Sequence, residues 1–284
     1  MKRFQLPAII LALILAGPAG LRAQLKDFRQ IDFPKKEISS MVIPIPDSCH
    51  NQGIVLDENF LYLSCVDIKS KKALLYQLSR PKPGKKDQPD SPKKLDLTEG
   101  GQYHPSGLDI NGSCLWVAVA DYHPAPARST IKCIDRKTFQ NMPDKKIEIA
   151  DHIGALAASQ NWIAAFNWDA KQLYLIDYSG KILAQGPNPG AVAYQDCKFF
   201  KDNLIICSGS AGAIGGKGFL DMLEIGGVDP RTWILVRRAE INVIKKLAPL
   251  NREGMAWEEK SFYFLPGDSP GPVLYQYEFP KFFD

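Results

Sequence analysis

Residues 104–121 read HPSGLDINGSCLWVAVAD, and this stretch decides the fold. Leu108 and Ile110 belong to an apolar strand, and Asn111-Gly112 is the dipeptide that favours a two-residue hairpin turn. Cys114 to Ala120 is a second apolar run that ends at Asp121. The same layout begins again at His50 (HNQGIVLDENFLYLSCVD), His152 (HIGALAASQNWIAAFNWD), Gln195 (QDCKFFKDNLIICSGSAG) and Asn251 (NREGMAWEEKSFYFLPGD). Each segment opens on a polar residue, runs through an apolar strand and a polar turn, and finishes on a second apolar strand. Four of the five end in Asp (Asp67, Asp121, Asp169 and Asp268), always 17 positions after the first residue, while Gly212 takes that place in the fourth.

A third strand follows every segment: Ala73–Leu78, Thr130–Asp135, Gln172–Asp177, Phe219–Ile225 and Val273–Phe279. A fourth follows the first four segments, at Lys94–Leu97, Lys146–Ile149, Lys181–Gln185 and Thr232–Ile241. The fifth unit lacks its own fourth strand, and a spare one, Met41–Ile45, precedes the first repeat. Four short strands recurring at about 40–57 residues predict an all-β, five-bladed β-propeller. The N-terminal strand then closes the last blade and removes two exposed sheet edges. Residues 24–40 are too few for a sixth blade.

The cysteines fit this frame, because a hairpin opposes residues symmetric about its turn. Cys49 and Cys65 centre on Asp57, and Cys197 and Cys207 on Asp202. Cys114 and Cys133 straddle the loop between the second and third strands of the second unit. Three disulfides within blades are therefore expected: 49–65, 114–133 and 197–207. An even count suits an exported chain. The N-terminus says the same. Lys2 and Arg3 precede an apolar run, Leu6 to Leu15, which Gly17, Pro18 and Gly20 interrupt before Ala23. That is the layout of a signal peptide over residues 1–23, leaving one domain over 24–284 for the periplasm or the extracellular space. No later stretch reaches the ~20 apolar residues of a membrane span.

Composition narrows the partners. Of the 284 residues 45% are hydrophobic and 23% charged, an ordinary globular balance. The net charge of +4 falls to +1 once Lys2, Arg3 and Arg22 are removed with the leader. No field of that size holds a polyanion, so nucleic acid is excluded as a partner and a monomer binding a small molecule or glycan is expected. Arg80 to Lys94, rich in Pro and Lys, reads as a solvated loop within the first blade. The Gly-rich run Ser208 to Gly218 lacks the spacing of a phosphate-binding loop.

Function is expected at one mouth of the propeller axis, where the first residues of the five segments gather. Three of the four histidines, His50, His104 and His152, share one register on consecutive blades. Two readings of that register stand side by side. In one, each His pairs with the Asp that closes its own segment, and the mouth binds a ligand or partner. In the other, the three imidazoles hold a divalent metal, zinc or similar, which activates water for hydrolysis of an ester, lactone or carbohydrate-like substrate. Glu253, Arg252 and Asp121 are then the candidate catalytic groups. Gln195, Asn251, Tyr122, Arg128 and Trp168 are the candidate ligand contacts, with His123 beside them.

The stretches HPSGLDINGSCLWVAVADYHPAPARSTIKCID, DHIGALAA, YQDCKFF and LIICSG resemble an uncharacterised family of secreted, propeller-like proteins of bacteria and fungi. That resemblance implies the fold and export, and no activity. WD-type propellers are similar in using a His and an Asp at comparable places. More distantly, the entry into each first strand is similar to that of lactonase and senescence-marker type propellers, whose axial sites hold a divalent metal on Glu, Asn and Asp. This chain offers mainly His at those positions.

Overall fold

The computed structural model describes residues 29–33, 36–46, 48–80, 91–122, 127–169, 171–211, 217–245, 248–258, 261–267 and 271–279. Residues 1–23, His123 and Asp268 lie outside them, as does most of the Pro- and Lys-rich loop of the first blade. No helix of the described residues is long and apolar enough to cross a membrane.

The described strands form five blade sheets arranged as a five-bladed propeller, antiparallel but for one added edge strand, and a separate two-stranded pairing of Ile244–Lys245 with Ala248–Pro249. From the axis outward, blade 1 runs Cys49–Leu56, Phe60–Asp67, Lys72–Ser79 and Lys93–Asp96. Blade 2 runs Gln102–Asn111, Cys114–Asp121, Ser129–Asp135 and Gln140–Ile149, and blade 3 runs Ile153–Ala158, Ile163–Asn167, Gln172–Ile176 and Ile182–Pro187. Blade 4 comprises Ala193–Lys201, Leu204–Ala211, Lys217–Ile225 and Trp233–Ile241. Blade 5 takes Gly254–Glu258, Ser261–Leu265 and Val273–Glu278 from the C-terminal part, and Glu37–Val42 is its outermost strand. The spare N-terminal strand thus does close the ring, starting four residues earlier than Met41.

One strand was not legible in the sequence. Arg29–Asp32 runs parallel to Trp233–Ile241 on the outer edge of blade 4. Between it and the closing strand, Phe33 is buried against Phe264 and Tyr277, with ring centroids 5.5 and 5.7 Å away. The N-terminal chain therefore straps blade 4 to blade 5 as well as completing blade 5.

Closure is visible in the core. The middle strands are apolar on both faces, because each blade is covered on both sides by its neighbours. Five apolar clusters result, one at each junction between successive blades. Tyr62, Leu75 and Val117 lie between blades 1 and 2, and Ile131, Leu156 and Ile163 between 2 and 3. Phe166, Ile205 and Trp233 fill the third junction, and Met222, Met255 and Phe264 the fourth. Leu63, Leu74 and Leu265 join blade 5 back to blade 1. Each such side chain contributes about 1.5–3 kcal/mol when fully buried. The outermost strands are mostly exposed and polar, as in Lys93–Asp96. The three disulfides are those the hairpin symmetry predicts, with Cα–Cα separations of 5.5 Å for Cys49–Cys65, 5.2 Å for Cys114–Cys133 and 4.1 Å for Cys197–Cys207.

Candidate functional site

The innermost strands of blades 1 to 4 each carry a register shift just after the polar residue that opens the segment: near Gln52, Ser106–Gly107, Gly154 and Gln195. A bulge leaves an N–H outside the ladder and turns the following side chains by one position. The innermost strand of each blade also has an open edge facing the hub, and N–H groups along it find a partner that the sequence reading missed. Asp196 is fully buried, and its carboxylate accepts the backbone N–H groups of Leu108 (3.2 Å), Ile54 (3.0 Å) and Met255 (2.9 Å). The Lys198 ammonium, also buried, bonds the same carboxylate. A second carboxylate, Asp109, accepts from Ala158 (2.9 Å) and Phe199 (2.8 Å). Asp196 and Asp109 thereby tie together the inner strands of all five blades. Burial pushes Asp109 up to about 7 and Asp196 up to about 6, against the nearby Lys198 charge and the N–H bonds, which act to lower both.

The glycines of the repeat belong to this hub. A Cβ on Gly53 would stand 2.6 Å from the Cα of Gly107, and one on Gly107 only 2.5 Å from an Asp196 oxygen. The inner strands approach too closely for any side chain there. Buried charge accordingly lies where the inner strands come closest.

The structure brings two of the three predicted histidines into direct contact. His104 Nδ1 and His152 Nε2 lie 2.9 Å apart in a hydrogen bond whose donor depends on the tautomer. Burial, with the fields of His152 and His50, pushes His104 down to about 3. Burial also lowers His152, outweighing Asp151 and Asp121, which act to raise it. Both rings are therefore neutral at pH 7. His152 Nδ1 is buried with no hydrogen-bond partner among the described residues.

These rings are the middle of a longer row. Tyr103 stacks on Tyr122 (5.0 Å, 4° between planes), Tyr122 meets the edge of His104 (5.4 Å), and beyond His152 lies Trp168 (5.7 Å). The row crosses from blade 2 to blade 3, and Trp168 at its end is 46% exposed. Gly154 lets it sit there, since a Cβ would come within 3.2 Å of the Trp168 Cα. Tyr103 was not singled out by the sequence. Its only signal is its place beside the first histidine of the blade 2 segment.

For His104 and His152 the expected pairing with the Asp of the same segment gives way to a different arrangement. His104 and His152 bond each other across blades, and the aspartates hold turns. Asp67 Oδ1 accepts from Lys69 N (3.1 Å) and Ser70 N (3.2 Å). Asp121 Oδ2 accepts from Arg128 N (3.1 Å), and Asp169 Oδ1 from Lys171 N (3.2 Å). An Asp at a fixed place in the loop after the second strand suffices for the constant spacing.

The remaining candidates disperse. The Asn251 amide bonds the carbonyls of Gly209 (3.0 Å) and Phe219 (2.6 Å), so it joins blade 5 to blade 4. Arg252 pairs with the buried Glu253 at 3.1 Å. Gln195 sits on the bulge that delivers the next residue, Asp196, to the axis. Arg128 pairs with Asp121 and borders a cavity of about 350 Å³ on blade 2, with Glu99, Gln102, Thr130 and Glu148. Among the described residues no set of three His, Cys, Asp or Glu side chains is arranged to hold a metal ion.

A disulfide-braced, five-bladed propeller with a row of aromatic and imidazole rings crossing blades 2 and 3 is the class these features define. Residues 12–230 match the model of the Family of unknown function (DUF6454), and the chain belongs to that family. The match ends before the outer strand of blade 4 and leaves the three C-terminal strands of blade 5 outside it, while including that blade's N-terminal strand Glu37–Val42. No curated protein matches the chain. Among solved structures, the glutaminyl cyclase of Myxococcus xanthus is similar in fold at 15% identity and a TM-score of 0.54, over 86% of this chain and 95% of that one. A protein of unknown function from Bacteroides caccae is similar at 13% identity and a TM-score of 0.50, over 83% and 80% of the two chains.

Proposed function

We propose that this is an exported propeller that binds a small ligand at the aromatic row of blades 2 and 3. The observation that carries the reading is the row of rings ending in Trp168, an indole left 46% exposed yet positioned over His152. A large, half-exposed ring next to neutral polar groups is a composition that suits a small-molecule site. His152 Nδ1 and the rest of the His104–His152 pair supply the few polar contacts that orient a ligand. Three disulfides support export, since such bonds persist in oxidising compartments.

The test is a thermal-shift and tryptophan-fluorescence screen of monosaccharides, disaccharides, amino acids and short-chain amines, run in EDTA on the wild type and Trp168→Ala. A compound that protects the wild type and loses at least tenfold in affinity on Trp168→Ala supports the row as the binding site. A screen whose every binder binds both proteins equally refutes it.

A further inference from the structure

Blade 2 holds a concavity that the aromatic row does not use. A cavity of about 350 Å³ is bordered by the blade's entry, at Glu99 and Gln102, and by its two outer strands, at Arg128, Thr130 and Glu148; none of the row's rings lines it. Arg128, Thr130 and Lys132 are alternate residues, so their side chains leave one face of the sheet. It is the face of Val117 and Val119, which packs toward blade 1. On the outermost strand Glu148 opposes Thr130 and Lys146 opposes Lys132. Arg128 precedes Ser129, the partner of Ile149, so Arg128 and Glu148 are diagonal neighbours. That relation sets residues roughly 7–8 Å apart.

Several of these groups are short of partners. The Gln102 side chain is only 7% exposed; its Oε1 accepts from the Thr130 hydroxyl at 2.7 Å, and its NH2 has no bond among the described residues. Arg128 spends its Nε on Asp121 at 3.4 Å, and its terminal amino groups have no bond among the described residues. Glu148 meets Lys146 at 3.4 Å. Exposed ion pairs of this length hold little free energy, so both charges can turn to a ligand. Glu99, by contrast, is held by Lys132 at 2.6 Å and by Lys146 at 3.3 Å. Arg128, Lys132 and Lys146 balance Asp121, Glu99 and Glu148, so the surroundings favour neither an anion nor a cation alone. We propose that this cavity is a second ligand site, for a small zwitterion of the α-amino acid class. The Arg128 fork takes the carboxylate, the Gln102 NH2 donates to a ligand oxygen, and Glu148 accepts from the ammonium. The volume lies at the small end of ligand pockets, which suits a single amino acid.

The experiment is isothermal titration calorimetry of the full purified chain at pH 7 and low salt. The probes are glycine, L-alanine, L-serine and L-leucine, with propionate and ethylamine as controls that each keep one of the two charges of L-alanine, and glucose as an uncharged one. One amino acid bound per chain is expected, with propionate and ethylamine at least tenfold weaker. Affinity is expected to fall at least tenfold in Arg128→Gln and in Glu148→Gln, two exposed positions at which circular dichroism checks that the fold is kept. Unchanged affinity in Arg128→Gln overturns the site, as does the absence of amino acid binding at millimolar concentration. Propionate, ethylamine or glucose binding as tightly as L-alanine overturns the ligand class. Affinity that falls in Trp168→Ala and not in Arg128→Gln belongs to the aromatic row, so it overturns this inference and leaves the row standing.

Discussion

Asp196→Asn is the sharpest perturbation of the hub. The carboxylate receives three backbone N–H groups and the Lys198 ammonium, all within a fully buried axis. An amide has one oxygen, and its NH2 must face either Leu108 N and Lys198 or the pair Ile54 N and Met255 N. At least one buried N–H is then orphaned, which costs about 1–3 kcal/mol. Lys198, whose side chain is 4% exposed, loses its anion, and breaking a buried pair on one side costs about 3–5 kcal/mol. The expected loss is therefore about 4–8 kcal/mol, a large part of the ~5–15 kcal/mol that holds a domain folded. Adding Lys198→Met removes the unpaired charge, so the double variant should regain about 2–3 kcal/mol over Asp196→Asn. The assay is urea unfolding at pH 7 with disulfides intact, followed by tryptophan fluorescence and circular dichroism. A cost below ~1 kcal/mol for Asp196→Asn, or a double variant weaker than the single one, refutes the hub as described.

Three further outcomes follow from the same geometry. Burial raises Asp109 to about 7, so its folded form holds a proton more tightly than the unfolded chain does. Its contribution is full below the ordinary value near 4 and fades as pH rises through about 7, so the wild type should gain up to about 2 kcal/mol on Asp109→Asn between pH 8 and pH 5; parallel stability profiles refute this, and the opposite trend of the buried histidines is common to both proteins. Gly107→Ala, whose Cβ would press on Asp196, should cost at least about 3 kcal/mol in urea unfolding, whereas Gly112→Ala, which meets nothing but sits at φ +59°, should cost about 1 kcal/mol. A chain truncated before Ile43 loses Glu37–Val42 and bares the edge of Val273–Glu278, so it should self-associate with rising concentration in analytical ultracentrifugation, and a truncated chain that stays monomeric and equally stable argues against that strand's role.

The repeat was legible because every blade must alternate core strands with turns, so His104–Asp121 and its four counterparts announce themselves by pattern alone. The disulfides were legible for a related reason: cross-strand neighbours are fixed by hairpin symmetry, as Cys197 and Cys207 about Asp202 show. The site was less so. A strand's period of two assigns each side chain a face only while the register holds, and the inner strands of four blades slip near their entrance. That slip is why Gln195 was expected at the axis and its neighbour Asp196 is found there. Contacts between blades leave no mark of their own in sequence. The bond from His104 to His152 links residues 48 apart, and nothing in either segment distinguishes it from pairing with the local Asp. Arg29–Asp32 was hidden too, since a four-residue edge strand carries no periodicity long enough to read.

The five entries to the hub are equivalent in sequence position and inequivalent in work. Asn251 is bound to blade 4 carbonyls, Gln195 occupies a bulge, and Glu253 is held by Arg252. The axis beneath them holds the buried side chains of Asp196, Lys198 and Asp109. The proposed binding surface therefore falls to one side of it, on the rings of blades 2 and 3, and a ligand that meets only two blades would be small. The departures from the repeat, an aromatic after His104's partner strand and a tryptophan before Asp169, supply the rings on which that proposal rests.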